Sequence, residues 1–219
     1  DPLRCREEFA QSAMDDLRGC GLTWSEGPDC GGSYAPYDQS KRGSSYVSIL
    51  RELAEMDLVY PCLKSRKEIR DKGLSSRGGD EFLFPEEFRP ANKHRIALDF
   101  PGELNWRFRV EWNKTISFFD RAKGMQQFVT GKDFSDFLVW RKEGVACYEL
   151  ATVADDHAMD ITEIVRGEDL LLSSARQCLL FDELGWSRPD FYHCELLLDE
   201  EGRKLSKSER NLPRLFSTP

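Results

Sequence analysis

The stretch that decides the fold is ITEIVRGED, residues 161–169. Its first five residues, ITEIV, are predicted to form a strand. A helix is predicted over residues 172–184, with its apolar side chains at helical spacing and Gly185 as the terminating residue. Further strands are predicted at residues 148–153 and 195–198. Strands that alternate with helices favour a parallel sheet, so the predicted fold class is α/β.

The middle of the chain has a different character. Residues 62–79 are basic and rich in glycine, and alternating strands are predicted at residues 106–110 and 115–119. We therefore predict a β-containing insertion over residues 62–146. It would split the α/β domain into a first part, residues 1–61, and a second part, residues 147–219.

The composition of the chain limits which RNA and membrane contacts can be expected. The chain has 219 residues and a net charge of −8, so any RNA contact must come from a local basic patch. Residues 64–77 are the candidate patch, and a solvated charged loop is the alternative. No apolar run approaches the ~20 residues that span a bilayer, so no membrane contact is expected. Seven scattered cysteines suggest reduced thiols and a cytoplasmic protein.

Two side chains at predicted strands are candidates for binding a substrate. Arg166 comes at the carboxyl end of its strand, where a guanidinium can hold a carboxylate by two parallel hydrogen bonds. The alternative is a salt bridge to Glu168 or Asp169. Tyr148 could donate its hydroxyl to a ligand, or it could be half-buried packing. Residues 155–156, two aspartates, are interpreted as a turn or a helix cap.

The third candidate is the loop GRKLSKS, residues 202–208, which follows the last predicted strand. Two lysines and two serines on a loop that begins with glycine can grip a triphosphate, because compact ammonium groups suit charge on phosphate oxygens. A solvated surface loop is the alternative. The residues predicted to bind ATP are Lys204, Leu205, Ser206, Lys207 and Ser208.

These motifs together resemble a known family. KLSKS at residues 204–208 resembles the Lys-Met-Ser-Lys-Ser motif of class I aminoacyl-tRNA synthetases. VRGED at 165–169, WSEGP at 24–28 and YPC at 60–62 are similar to the glutamyl branch. Leu170 stands where ordinary glutamyl-tRNA synthetases usually carry histidine, so the chain looks most like the glutamyl-queuosine tRNA(Asp) synthetases.

The resemblance implies a Rossmann-like class I catalytic domain that activates L-glutamate with ATP and Mg²⁺. It also implies transfer of the glutamyl group to tRNA, with the queuosine base of tRNA(Asp) favoured as the acceptor. Tyr148 and Arg166 would bind glutamate, and Lys207 would be the catalytic lysine. The alternatives are the catalytic part of an ordinary glutamyl-tRNA synthetase and a non-catalytic RNA-binding paralogue. We expect a monomer.

The sequence departs from the family at two points. The family's His-x-Gly-His motif, which contacts ATP, is absent, since the three histidines are His94, His157 and His193. We therefore expect a truncated chain that does not activate glutamate by itself. Many queuosine-branch enzymes also carry cysteines that bind zinc. Here Cys62 stands alone and Lys64 takes the second position, so no zinc is predicted.

Overall fold

A computed structural model describes residues 7–79, 81–90, 100–199 and 201. The chain divides into two compact units, Asp38–Leu196 and a smaller unit that combines Asp1–Tyr37 with Leu197–Pro219. The α-helices of the described residues are α1 (Glu7–Gly19), α2 (Gly43–Glu55), α3 (Arg66–Lys72), α4 (Tyr148–Ala158) and α5 (Leu171–Glu183). The strands are β1 (Val59–Cys62), β2 (Asn105–Phe108), β3 (Thr115–Asp120), β4 (Gly124–Val129), β5 (Phe137–Arg141), β6 (Val145–Ala146), β7 (Glu163–Gly167) and β8 (Asp190–Cys194).

The first sheet is antiparallel and has the strand order β1-β2-β5-β6. A buried carboxylate links this sheet to the loops around it. Asp136 accepts hydrogen bonds from the Tyr60 hydroxyl at 2.5 Å, from the Arg89 guanidinium at 2.6 and 2.7 Å, and from the Val110 amide at 2.9 Å. Because each carboxylate oxygen has charged or polar partners, the buried charge is compensated.

The second sheet has the order β4-β3-β8-β7 and mixes parallel and antiparallel pairs, and of its strands only β7 overlaps a strand predicted for the parallel sheet. β8 is parallel to both β3 and β7, while β3 and β4 form an antiparallel hairpin. The hairpin lies in the predicted insertion, yet it extends the sheet that carries Arg166. The division of the domain at residues 62–146 stays a prediction.

Apolar side chains of the helices and both sheets form one large core within Asp38–Leu196. Leu50 and Leu53 of α2, Leu150 of α4 and Leu180 of α5 are all fully buried in it. Burying a leucine side chain stabilises the fold by about 1.5–3 kcal/mol, so these helices are held mainly through packing. The core thereby fixes α4 and α5 beside β7 and β8.

The predicted strand at residues 148–153 is wrong, because these residues begin helix α4. Six residues are too few to separate the two periodicities. Over the longer segment the buried residues Leu150, Ala151, Val153 and Ala154 recur at spacings of one, three and four, which is a helical face. The aspartates at 155 and 156 are also inside this helix, whose caps are Cys147 and Met159, so their interpretation as a turn or a helix cap is wrong.

The predicted strand at residues 195–198 is wrong as well, because the strand is β8 and ends at Cys194. In β8 the buried residues Phe191 and His193 alternate with exposed Tyr192, so a histidine occupies a core position that an apolar residue normally fills. The leucine run that suggested a strand is largely exposed, with 68% of Leu197 and 55% of Leu198 accessible.

The basic stretch, residues 64–77, contains the short helix α3. Ser65 begins the helix, accepting a hydrogen bond from the Glu68 amide at 3.2 Å, while Glu68 accepts one from the Ser65 amide at 2.9 Å. This reciprocal cap satisfies two backbone donors at the helix start. Ile69 is the buried residue of α3, so the charged side chains on the rest of the helix face solvent.

Candidate active site

Arg166 lies on β7, one residue before the strand ends, and is surrounded by polar side chains. Its Nη2 donates to Ser174 Oγ and Gln177 Oε1, each at 2.6 Å. Its Nε donates to His193 Nε2 at 3.3 Å, and its Nη1 donates to the Tyr148 hydroxyl at 3.4 Å. Since α5 supplies Ser174 and Gln177, β8 supplies His193 and α4 supplies Tyr148, three elements hold the guanidinium in one orientation.

Tyr148 is the first residue of α4, and 48% of its side chain is exposed. Helix α4 begins shortly after the β5–β6 hairpin, and the Cys147 amide before it donates to the Val139 carbonyl at 2.8 Å. The two predicted glutamate-binding side chains, Tyr148 and Arg166, are therefore brought within hydrogen-bonding distance of each other. Their role as substrate ligands stays a prediction.

The salt-bridge alternative for Arg166 named Glu168 or Asp169. The structure pairs Glu168 with Lys123 instead, at 2.5 Å between Lys123 Nζ and Oε2. Lys123 and the Leu196 backbone amide lower the pKa of Glu168 below its ordinary value. Glu168 therefore forms its ion pair with the turn of the β3–β4 hairpin and not with Arg166.

Asp156 adds a carboxylate beside the guanidinium that sequence reasoning missed. It lies on α4 eight residues after Tyr148, so both project from the same helical face. Burial raises the pKa of Asp156 to about 6, with the Arg166 charge opposing the rise and the Asp155 charge adding to it. Within the described residues its Oδ2 has no hydrogen-bond partner. Asp155 differs, since it accepts from Arg42 at 2.6 Å and from the Tyr46 hydroxyl at 2.9 Å.

The raised pKa of Asp156 predicts a pH-dependent change in stability. The folded state holds the proton up to about pH 6, whereas the unfolded chain loses it near the ordinary value of 3.8. Ionised Asp156 therefore destabilises the fold above pH 6, and this cost disappears below about pH 4. We expect Asp156→Asn to increase the free energy of unfolding by about 2 kcal/mol at pH 7.5 and to have little effect at pH 4. Urea unfolding at both pH values checks this, and an equal difference at both would contradict it.

A pocket of about 320 Å³ adjoins Tyr148 on the side of the first sheet. Its polar lining combines three guanidinium groups with three carboxylates: Arg107, Arg141, Arg176, Glu81, Asp136 and Glu149. Arg176 pairs with both Glu81 and Glu149, so part of this charge is already compensated within the protein. Cys147 also lines the pocket, and burial raises the pKa of its thiol to about 11, so it remains a thiol at neutral pH.

The loop predicted to bind ATP, residues 202–208, lies outside the described residues, so its position and the role of Lys207 stay predictions. Cys62 is buried in β1. In the part of the chain that the structure describes, no group of three or more histidine, cysteine, aspartate or glutamate side chains could hold a metal ion. No helix there is both long and apolar enough to cross a bilayer.

Comparison with known proteins defines the class to which this fold and site belong. The family model of the class I tRNA synthetases (E and Q), catalytic domain, matches residues 1–216. The chain therefore belongs to the catalytic-domain family of the class I glutamyl and glutaminyl tRNA synthetases. This membership confirms the predicted α/β fold of the class I type.

Individual relatives narrow the comparison within the family. The chain is 38% identical over 214 residues to a Glutamyl-Q tRNA(Asp) synthetase of Nitratidesulfovibrio vulgaris, covering 97% of this chain and 66% of that protein. It is 35% identical to a glutamate–tRNA ligase of Chlamydia trachomatis, covering 94% of this chain and 41% of that protein. A crystal structure of the glutamate–tRNA synthetase of Elizabethkingia anophelis superposes with a TM-score of 0.75 at 30% identity, covering 94% of this chain and 44% of that one. The chain thus spans about two fifths to two thirds of the length of these relatives.

Proposed function

We propose that the protein activates glutamate with ATP and transfers the glutamyl group to tRNA, with the queuosine base of tRNA(Asp) as the favoured acceptor. The observation that carries the proposal is the contact between Arg166 and Tyr148 at the edge of a polar pocket, in a chain of this family. The queuosine acceptor is supported by Leu170 and by the 38% identity to a Glutamyl-Q tRNA(Asp) synthetase. Transfer to the terminal ribose, as in an ordinary glutamyl-tRNA synthetase, is the second candidate, supported by the 35% identity to a glutamate–tRNA ligase.

The reaction requires the α-carboxylate of glutamate to be free, because it attacks the α-phosphorus of ATP and displaces pyrophosphate. Arg166 and Tyr148 are therefore assigned to the side-chain carboxylate. Both Nη2 contacts and the Nε contact of Arg166 are made to protein groups, so Nη1 and the Tyr148 hydroxyl are the donors that face a substrate. One guanidinium hydrogen bond beside one phenol hydrogen bond replaces the two parallel guanidinium bonds expected from the sequence. Glutamine would lose the charge-assisted part of this contact.

Activation of the carboxylate then depends on the phosphate site. ATP is the co-substrate, and Mg²⁺ would neutralise charge on its phosphate oxygens when bound. Lys207 is proposed to stabilise the charge that develops as pyrophosphate leaves. No protein nucleophile is required, because the glutamyl adenylate itself is the acyl donor.

The pocket beside Tyr148 suits the acceptor in the second step. Its volume of about 320 Å³ is at the lower end of ligand pockets and fits a group the size of a nucleobase. A hydroxyl of the acceptor would attack the adenylate carbonyl, and AMP would leave. Because Tyr148 lines the pocket and also contacts Arg166, an acceptor there would lie next to the bound glutamate.

Helix α3 supports an RNA partner near this pocket. Arg66, Lys67 and Arg70 are exposed on α3, while its buried residue Ile69 also lines the pocket. An RNA strand entering the pocket would therefore pass cations that can neutralise its phosphates. This local patch is needed because the chain as a whole carries a net charge of −8. A monomer acting in the cytoplasm stays a prediction.

The proposal is tested by ATP–pyrophosphate exchange with the complete protein and glutamate, with and without tRNA. We expect exchange without tRNA, as the queuosine branch predicts. Transfer of labelled glutamate should then occur to tRNA(Asp) that carries queuosine, and tRNA(Asp) with guanosine at the wobble position is the matched control. Exchange that requires tRNA, with charging of tRNA(Glu), would indicate an ordinary glutamyl-tRNA synthetase. No exchange under either condition would contradict an enzyme and favour the non-catalytic paralogue.

A further inference from the structure

Two ionisable side chains lie fully buried behind Arg166 and have no part in the reaction described above. Asp120 ends β3 and His193 lies on the adjacent strand β8, and the solvent exposure of both is 0%. His193 Nδ1 is 2.6 Å from Asp120 Oδ2, and the His193 backbone amide donates to the same oxygen at 3.1 Å. Burying two ionisable groups costs free energy, so their position next to the Arg166 guanidinium suggests that they act on it.

The partners of Asp120 keep it ionised. Burial works against the charge, but the hydrogen bond from His193 and those from the backbone amides of Lys123 and Ala122 hold the pKa of Asp120 below its ordinary value. A carboxylate only accepts hydrogen bonds, so His193 Nδ1 must carry the proton in this contact. Nε2 of a neutral His193 is then left with a lone pair and can only accept.

The acceptor that this tautomer creates is the one that Arg166 needs. An arginine side chain has donors and no acceptor, and its Nε lies 3.3 Å from His193 Nε2. Ser174 Oγ accepts from Arg166 Nη2 at 2.6 Å. It also lies 2.8 Å from His193 Nε2 and 3.0 Å from the Leu170 carbonyl. With a lone pair on Nε2, the single hydroxyl proton can go to Nε2 over the shorter distance, so Ser174 connects the two groups on a second side. A histidine with its proton on Nε2 would oppose the Arg166 Nε–H with a second donor, and the guanidinium would have to turn.

We propose that Asp120 and His193 are positioning residues that fix the orientation of Arg166, so that Nη1 points to Tyr148 and to the substrate carboxylate. The inference rests on the proposed role of Arg166 in binding glutamate. Asp120 selects the tautomer of His193, and His193 holds the Nε edge of the guanidinium. Neither residue touches the substrate, so the effect is exerted through Arg166.

The test compares three variants of the complete protein. Asp120→Asn keeps the shape of the side chain but presents an amide N–H to His193, which favours the wrong tautomer. His193→Gln keeps an oxygen that can accept from Arg166 Nε. Phe118→Leu is the control, since Phe118 is buried in β3 beside His193 and makes no hydrogen bond to Arg166, so its truncation changes packing alone.

We expect Asp120→Asn to raise the Kd for glutamate, measured by calorimetry, about 10- to 100-fold, the range for one lost hydrogen bond to a charged group. His193→Gln and Phe118→Leu should stay within about threefold of the unsubstituted protein. ¹⁵N NMR of the imidazole should show the His193 proton on Nδ1 in the unsubstituted protein and on Nε2 in Asp120→Asn. A residue needed only for folding would lower thermal stability without separating these Kd values or changing the tautomer.

Each outcome decides between the two proposals. An unchanged Kd in folded Asp120→Asn, or a His193 proton on Nε2 in the unsubstituted protein, would overturn the positioning role while leaving the proposed function intact. If Asp120→Asn does not fold, the test is the ¹⁵N NMR measurement of the His193 tautomer in the unsubstituted protein. Failure of the unsubstituted protein to bind glutamate would contradict the proposed function, and the positioning role would fall with it.

Discussion

Replacing Arg166 with lysine is expected to weaken the binding of glutamate to the complete protein about 100-fold or more. Lysine keeps the positive charge, but its ammonium group cannot satisfy acceptors on three sides as the guanidinium fork does. Ser174 and Gln177, both fully buried, would lose partners at 2.6 Å. Shortening one partner of a buried, hydrogen-bonded charge pair reduces the free energy of binding by about 2–5 kcal/mol. Calorimetry with glutamate measures the effect directly.

A matched control separates this effect from a loss of charge or of sheet stability. Arg121 directly follows β3 of the same sheet, and on the surface it pairs with Glu163 at 3.2 Å and Asp190 at 2.6 Å. Arg121→Lys makes the same chemical change at an exposed ion pair and should leave glutamate binding unaltered. A Kd for Arg166→Lys within threefold of that of Arg121→Lys would contradict the assignment of Arg166 as the carboxylate ligand.

Tyr148→Phe is expected to give a smaller loss at the same site, about tenfold in Kd. The substitution removes one hydroxyl and leaves the ring, and a hydrogen bond to a charged group contributes about 1.5–3 kcal/mol. Tyr148 is half-exposed and its ring can still pack at the start of α4. The order of the two effects, Arg166 above Tyr148, follows from the number of contacts that each substitution removes.

The sequence alone was sufficient to single out Tyr148 and Arg166 as candidate substrate ligands, but not to find the residues that hold them in place. Arg166 at the end of a predicted strand and the aromatic hydroxyl of Tyr148 are both visible in the local sequence. The interpretation of residues 148–153 as a strand was wrong because six residues cover fewer than two helical turns. The structure nevertheless brings the two candidates within hydrogen-bonding distance, since the first residue of a helix and the end of a strand can meet at the same edge of a sheet.

The support behind Arg166 could not be predicted, because it is made of long-range contacts. Asp120 and His193 are separated by 73 positions, and the parallel pairing of β3 with β8 brings them together. The alternation of β3 places Asp120 on the same face as buried Ile116 and Phe118, but an aspartate at a strand end normally indicates a turn, so its burial is not expected. The same limit applies to Asp156, whose raised pKa follows from tertiary burial on α4.

The two candidate substrate ligands lie next to different sheets. Tyr148 follows directly on β6 of the first sheet, whereas Arg166 belongs to the second. Glutamate held by Arg166 and an acceptor held in the pocket would therefore approach Tyr148 from two sides. In the proposed reaction, the first sheet with its buried Asp136 network would shape the acceptor side, while the second sheet would hold glutamate.

Lys207→Ala is expected to lower the rate of ATP–pyrophosphate exchange about 100- to 1,000-fold while changing the Kd for glutamate by less than threefold. The proposed role of Lys207 is to stabilise charge that grows on the phosphate oxygens only as pyrophosphate leaves. Removing one preorganised donor of that kind costs a rate factor of about 10²–10³. An interaction made mainly in the transition state contributes little to the binding of the ground-state substrate.

For Lys207→Ala the exchange rate should therefore fall while the Kd for glutamate stays nearly constant. For Arg166→Lys, by contrast, the Kd for glutamate itself should rise. Lys142→Ala is the matched control, because Lys142 is exposed after β5 and lies outside the motif. It should leave both the exchange rate and the Kd unaltered. If the Lys207→Ala rate equals that of Lys142→Ala, the motif is a surface loop without a catalytic role. If rate and glutamate affinity fall together, Lys207 acts in substrate binding, and the charge that develops on pyrophosphate must be stabilised by another group.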